Sequence, residues 1–202
     1  MRYGLQAGPT TYPVSEAELA DLLRLDSYED PTFKFTLHTA TQAVIAYTGR
    51  ALLEQTYTIQ FDGYPGVGTE TRGLDQLRTV PYRWIELPYP PLISVQSVKI
   101  VDQEGDEDVI PSTDYRLDLI NQPGRINFKG YFPNIGRNEF LTIEYTAGYG
   151  DKAQDVPFGI RQSILMTAAY LYEHRGDCES GESAIMQSGA GAALIPYKIM
   201  RL

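Results

Sequence analysis

The chain has 202 residues and a formal net charge of −9 at pH 7, because 26 Asp and Glu outnumber 17 Lys and Arg. A negative field repels polyanions, which excludes tight non-specific binding of duplex DNA through phosphate neutralisation. The content of 43% hydrophobic and 21% charged residues predicts a soluble protein with a proper core. No apolar run approaches the roughly 20 residues of a membrane span, and the N-terminus lacks the apolar core of a signal peptide, so we expect use inside a cell.

The residue types that carry most catalysis and metal binding are scarce. Two histidines and one cysteine, Cys178, offer no catalytic pairing and no cluster with metal-ligand spacing. The segment 66–71 has glycines that superficially resemble a dinucleotide-binding loop, but the third glycine and the helix behind it are absent. The sequence therefore predicts no enzyme activity, no cofactor and no metal site.

The chain opens with an arm and a short helix. Residues 1–13 contain glycine and proline without periodicity, which predicts an irregular arm. A helix is predicted over residues 15–25, where Ser15 and Glu18 have the spacing of a capping box.

A second helix is predicted over residues 31–48. Asp30 is the expected N-cap, Pro31 fits the first turn, and Gly49 suits the C-terminal cap. Apolar residues repeat at steps of three and four, which places them on one face. They are Phe33, Leu37, Ala40, Val44 and Tyr47.

After the second helix the period of the sequence changes from helical to two. Alternation over residues 57–61 describes a strand with one buried face, and several short strands follow, so residues 55–146 are predicted to form a β-module. Residues 103–106 and 121–124 have the composition of hairpin turns, which predicts an antiparallel sheet. The glycine-rich, charged segment 62–82 is predicted to be an exposed loop.

A strand then passes into a third helix. Tyr149 lies between Gly148 and Gly150, which permits a sharp turn before a helix over residues 157–175 with Pro157 in its first turn. Its apolar face is predicted to pack in a core with the second helix. The residues predicted to form this core stripe are Phe33, Leu37, Val44, Ile160, Ile164 and Leu171.

The pattern changes again beyond residue 176. Glycine, serine and alanine dominate up to residue 193, which predicts a flexible linker, and residues 177–202 as a whole are predicted to be a C-terminal docking tail. The alternative left open is that this tail folds back onto its own subunit. The predicted docking residues are Leu194, Ile195, Tyr197, Ile199, Met200 and Leu202.

Five short segments, taken together and in their order, carry a resemblance to a known family. They are Val14-Ser15-Glu16-Ala17, Ala46-Tyr47-Thr48-Gly49-Arg50-Ala51-Leu52, Leu87-Pro88-Tyr89-Pro90-Pro91-Leu92-Ile93-Ser94-Val95, Tyr145-Thr146-Ala147-Gly148-Tyr149-Gly150 and residues 157–165. Over residues 14–176 the chain resembles the head-to-tail connector (adaptor, or head-completion) proteins of long-tailed bacteriophages and related prophages. The segment 64–82 departs from the family by its length.

The resemblance implies an α+β fold: a small bundle of three main helices with an inserted antiparallel β-module and an extended C-terminal tail. It implies a non-catalytic structural protein of the virion neck that assembles in the bacterial host cytoplasm. Its subunits would form a ring, a dodecamer in the family, beneath the portal protein. The ring would extend the DNA channel, pass DNA without sequence-specific binding, contact no membrane, and meet a tail-side connector or tail-completion protein.

An alternative of a different class remains. The 15 tyrosines and the single Trp84 are also typical of a β-rich ligand- or carbohydrate-binding module. A ring former should show annuli or concentration-dependent oligomers, whereas a binding module should remain monomeric.

Overall fold

A computed structural model describes most of the chain. The described residues are 2–9, 11–25, 31–61, 84–129, 133, 135–136, 139–174 and 181–199. Within them the chain forms five α-helices and eight β-strands in antiparallel sheets, so the fold is α+β, as the sequence predicts. Several predicted features lie outside the described residues: the loop 62–82, the cap at Asp30, Cys178, Met200 and Leu202.

The chain divides into two compact units. The β unit comprises Met1–Gly8 and Gln55–Ala147, and the helical unit comprises Pro9–Glu54 and Gly148–Leu202. Each unit therefore contains segments that are far apart in sequence.

Eight strands build the β unit. They are β1 (Arg2–Ala7), β2 (Gln55–Phe61), β3 (Ile85–Glu86), β4 (Leu92–Val101), β5 (Glu107–Val109), β6 (Tyr115–Asp118), β7 (Arg125–Phe128) and β8 (Phe140–Ala147). One sheet has five strands in the order β1-β2-β8-β4-β5, and the other has three in the order β3-β7-β6. All neighbouring strands in these two sheets pair antiparallel, and the predicted turns connect β4 to β5 and β6 to β7.

The strand β1 corrects the expectation of an irregular arm over residues 1–13. Arg2 pairs with Gln60 and Leu5 pairs with Tyr57, so the segment extends the sheet at its edge. All six residues of β1 are exposed. Backbone hydrogen bonds to β2, about fifty positions later in the chain, hold β1 in place. No local pattern of apolar residues predicts such pairing.

The buried face of the larger sheet follows the predicted alternation. In β2 every second residue from Gln55 to Phe61 is buried. Tyr57 lies opposite Tyr145 in β8, and the Tyr145 hydroxyl donates a hydrogen bond to the Pro88 carbonyl oxygen at 2.9 Å. This bond satisfies a polar group in a side chain with no measurable exposure.

Five helices build the described part of the helical unit. They are α1 (Glu16–Leu23), α2 (Pro31–Thr48), α3 (Phe158–Glu173), α4 (Gly181–Gln187) and α5 (Ala190–Leu194). At the start of α1, the Glu18 amide donates to the Ser15 hydroxyl at 3.2 Å and the Ser15 amide donates to the Glu18 carboxylate at 2.8 Å, which is a capping box.

The helical unit has one hydrophobic core, to which α1, α2 and α3 all contribute. Of the residues in the predicted core stripe, five are buried and Leu171 is half-buried against the others. The buried five are Phe33, Leu37, Val44, Ile160 and Ile164. No described helix is long and apolar enough to cross a membrane.

Helices α4 and α5 correct the expectation of a flexible linker before residue 194. Ile185, Ala190 and Leu194 are buried in the core of the helical unit. Gly181 lies so close to α2 that a Cβ atom on it would be 2.7 Å from the Ala43 Cβ. Small residues allow this close packing of helices. A sequence rich in small residues is equally typical of a flexible linker, so the sequence alone does not distinguish the two.

Candidate assembly site

Two of the segments that carry the family resemblance meet the C-terminal segment inside the helical unit. Helix α2 ends at Thr48, and Gly49 adopts a positive φ of 71° while its amide donates to the Ile45 carbonyl oxygen at 2.8 Å. This left-handed residue turns the chain away from the helix axis and directs Arg50 into the unit. A Cβ atom at Gly49 would lie 3.7 Å from the Ile199 Cβ.

Arg50 is the buried cation of this site, with only 7% of its surface exposed. Its Nε donates to the backbone oxygen of Tyr197 at 2.5 Å. The guanidinium also forms a hydrogen bond with the side chain of Tyr149. A buried charge is tolerated only when such bonds replace its hydration, so Arg50 depends on the presence of its acceptors.

Tyr149 is placed by the glycines on either side of it. Gly148 and Gly150 have φ values of 140° and 155°, and the Tyr149 amide donates to the Leu52 carbonyl oxygen at 3.3 Å. Burial raises the pKa of Tyr149, and the charge and hydrogen bond of Arg50 act in the opposite direction. The hydroxyl stays protonated at neutral pH and completes the polar surroundings of Arg50.

Backbone hydrogen bonds and a cation–aromatic contact hold the C-terminal segment. The Ile199 amide donates to the Thr48 carbonyl oxygen at 2.9 Å, and the Lys198 ammonium lies 4.2 Å from the centre of the Tyr47 ring. We call the ten positions that make these contacts the C-terminal latch. A groove of about 500 Å³, lined in part by Tyr47 and Lys198, lies beside them. The latch comprises Tyr47, Thr48, Gly49, Arg50, Leu52, Tyr149, Gly159, Tyr197, Lys198 and Ile199.

The predicted docking residues are therefore in different environments. Leu194 is fully buried, Ile195 is 66% exposed in a 3₁₀ turn, and Tyr197 and Ile199 are half-buried. Up to residue 199 the segment folds back onto its own subunit, which is the alternative that the sequence left open. The docking function of the segment stays a prediction.

Sequence reasoning missed Arg50 as a site residue. The sequence nevertheless contains a signal for a buried arginine, because Arg50 lies between a helix-ending glycine and the apolar run Ala51 to Leu53. All three residues of that run are buried. A cation in such a run has to find buried acceptors.

One group of carboxylates outside the latch has the spacing for metal ligands. Oxygens of Asp102, Glu104 and Asp106 lie within 4.8 Å of one another. However, Asp102 accepts hydrogen bonds from the amides of Glu104 and Asp106, each at 2.9 Å, which is the arrangement of an Asx turn. The turn between β4 and β5 accounts for this group without an ion.

Three tyrosines and Trp84 pack within the β unit, where Trp84 keeps 37% of its surface exposed. Tyr57 and Tyr145 are buried and stacked with ring centres 5.6 Å apart, and Tyr57 also stacks on Tyr89 at 5.0 Å. The guanidinium of Arg125 covers Trp84 at 4.7 Å from the ring centre. These rings are engaged in stacking and sheet packing, so they provide no open aromatic platform for a sugar.

Solved structures with the same fold come from gene transfer agent particles. One is the neck of an empty gene transfer agent particle, computed with sixfold symmetry, with a TM-score of 0.76 and 22% identity. Another is the neck of the native particle computed with twelvefold symmetry, with a TM-score of 0.71 and 21% identity. The third is the virion of the native gene transfer agent particle, with a TM-score of 0.73 and 20% identity.

Each of these alignments covers 100% of this chain and 97% of the other chain. No protein-family model and no curated protein sequence matches the chain. The fold is therefore that of a chain found in gene transfer agent particles, and two of the three structures are of the particle neck.

Proposed function

We propose that the chain is a structural subunit of the neck of a phage-like particle, a head-to-tail connector without enzyme activity. The observation that carries the proposal is the likeness of the whole chain to solved neck structures, with no large part of either chain left over. The five segments that resemble the connector family support it independently, because that resemblance lies in the amino-acid sequence and not in the fold.

The same proposal makes the subunit part of a ring. The necks with similar chains were computed with sixfold and twelvefold symmetry, and we propose a closed ring of this chain, a dodecamer by resemblance. A ring needs a head-to-tail interface, in which two different surfaces of the subunit meet. Exposed apolar side chains suitable for such contacts include Phe35, Phe158 and Ile120, which are 71%, 74% and 92% exposed.

Within the ring the three main helices would act as the bundle that carries residues 55–146 as an inserted β-module. The ring would extend the channel through which DNA passes between the portal protein and a tail-side connector or tail-completion protein. The net charge of −9 suits this function, because like charge on a channel wall prevents DNA from sticking. The protein would be located at the portal vertex of the virion.

Docking to the portal is proposed for the segment 194–202. Its support in the structure is Ile195, whose side chain is 66% exposed although it is large and apolar. Leu194, in contrast, is buried and would anchor the segment to the core of the helical unit.

Mass photometry and negative-stain microscopy of the purified chain test the proposal. We expect annuli, or oligomers whose population rises with concentration, of sixfold or twelvefold symmetry. A protein that remains monomeric at high micromolar concentration, alone and with portal protein, would contradict a ring-forming connector and favour the binding-module alternative.

A further inference from the structure

We infer that the surface formed by Thr48, Gly49, Arg50 and Tyr149 is a binding site for a short peptide segment. In the free subunit it is occupied by residues 197–199 of the same chain, and these residues leave it when the subunit attaches to a neighbouring ring. The inference rests on the proposed connector function for its second half only. The existence of the site rests on the contacts of the latch alone.

The site recognises backbone atoms. Its polar contacts to the segment include the bond from Arg50 Nε to the Tyr197 oxygen and the bond from the Ile199 amide to the Thr48 oxygen. Recognition through the main chain lets a protein surface bind a peptide segment, with side chains supplying the fit. Here Ile199 packs against Gly49, where an added Cβ atom would be in ordinary van der Waals contact with the Ile199 Cβ at 3.7 Å.

The fit extends to the start of α3. A Cβ atom on Gly159 would lie 3.2 Å from the Tyr197 hydroxyl oxygen and 3.3 Å from its ring. Gly159 therefore leaves room for Tyr197, and Gly49 lies in contact distance of Ile199. Two glycines from different parts of the helical unit thus face one short segment.

The same contacts allow the segment to leave. Two backbone hydrogen bonds and one cation–aromatic contact join residues 197–199 to the site, and the Lys198 amide donates to the Ile195 carbonyl oxygen at 3.2 Å within the segment itself. Leu194, three residues before Tyr197, is fully buried, so residues beyond it can detach while α5 stays packed. Segments with few buried contacts open at a low free-energy cost, and Arg50 keeps Tyr149 as a partner after the segment has left.

A disulfide lock tests the opening in the full chain. Gly49→Cys and Ile199→Cys, in a Cys178→Ser background, place two thiols on Cβ atoms about 3.7 Å apart, a normal spacing for a disulfide. The assay is attachment to DNA-filled heads from cells that lack this protein. We expect the oxidised form to attach at least tenfold less than the same protein after reduction, with the Cys178→Ser protein indifferent to oxidation.

Equal attachment of the oxidised and reduced forms would overturn the opening step. If the wild type fails to attach, the connector function itself fails. If the wild type attaches but the reduced double-cysteine protein does not, the substitutions themselves have damaged the site. In both cases the peptide site is judged by a second measurement. That measurement is hydrogen exchange of the Ile199 amide. We expect Arg50→Gln to speed its exchange at least tenfold while the core amide of Ala168 keeps its protection.

Arg161→Gln is the matched control for Arg50→Gln. Arg161 also donates to a backbone oxygen, that of Pro13 at 3.1 Å, but it contacts α1 and not the C-terminal segment. We expect this control to leave the exchange of the Ile199 amide unchanged. Unchanged exchange in Arg50→Gln as well would overturn the peptide site.

Discussion

Replacing Gly148 with alanine should destabilise the helical unit severely. A Cβ atom at this position would lie 2.4 Å from the Leu53 carbonyl oxygen and 2.7 Å from the Glu54 amide nitrogen. These are backbone atoms of a buried connection, so they cannot move aside as the end of a flexible side chain would. The φ of 140° is also a conformation that L-residues rarely adopt.

The expected loss combines two costs. The backbone conformation costs about 1–3 kcal/mol, and forcing extra volume into a packed site costs about 1–3 kcal/mol more. A total of about 4 kcal/mol corresponds to a fall in melting temperature of roughly 10 °C in a chain of this size. Thermal melting followed by circular dichroism measures it.

Gly105→Ala is the matched control. Gly105 also has a positive φ, 92°, but an added Cβ would meet nothing within 4 Å. This change should therefore carry only the conformational cost, about 1 kcal/mol. Equal shifts in the two variants, or an unchanged melting temperature in Gly148→Ala, would refute the close approach of residue 148 to Leu53.

Three further predictions address the core, the pH dependence and the charge. Ile164→Asp should lower the free energy of unfolding by about 4 kcal/mol, because it buries an unpaired charge where the side chain has no exposure. Gln162→Asp, on the exposed face of α3, should leave the melting temperature within a few degrees of the wild-type value. Similar melting of both variants would mean that Ile164 is not in the core. Burial raises the pKa of Glu18, but hydrogen bonds from Ser15 and the charge of Arg161 outweigh it and hold the pKa below 4.5. The stability that the Glu18 carboxylate contributes is thus present above pH 4.5 and is lost as the pH falls through the lowered pKa. Glu18→Gln should therefore reduce the loss of melting temperature in acid. An unaltered dependence of the melting temperature on acid pH would contradict this stabilising function of Glu18. The wild-type chain should not shift duplex DNA in a gel at physiological salt, since its net charge is −9; tight binding there would count against a passive channel.

The parts of the fold that sequence predicted well have local causes. The capping box at Ser15, the helix end at Gly49 and the alternation in β2 each depend on residues within one or two turns of the chain. Their physical signals, a hydrogen bond at a helix end or a repeat of apolar residues, are complete within a short window.

The parts that sequence missed have distant causes. The strand β1 exists through pairing with β2, and α4 lies against Ala43 of α2 because Gly181 has no side chain. The partners of Arg50 are Tyr149 and Tyr197, about 100 and 147 positions away. Neither composition nor periodicity encodes which distant residue completes such a contact. The C-terminal latch therefore could not be predicted from the sequence.

A cryo-electron microscopy reconstruction of the particle neck would show whether this chain is a ring-forming subunit there. Particles would be purified from cells that produce them with this chain, and the region between head and tail would be reconstructed. We expect a closed ring of density, of sixfold or twelvefold symmetry, into which the helical and β units of this chain each fit. Particles with a complete neck whose density excludes this fold, or from which the chain is absent, would contradict it.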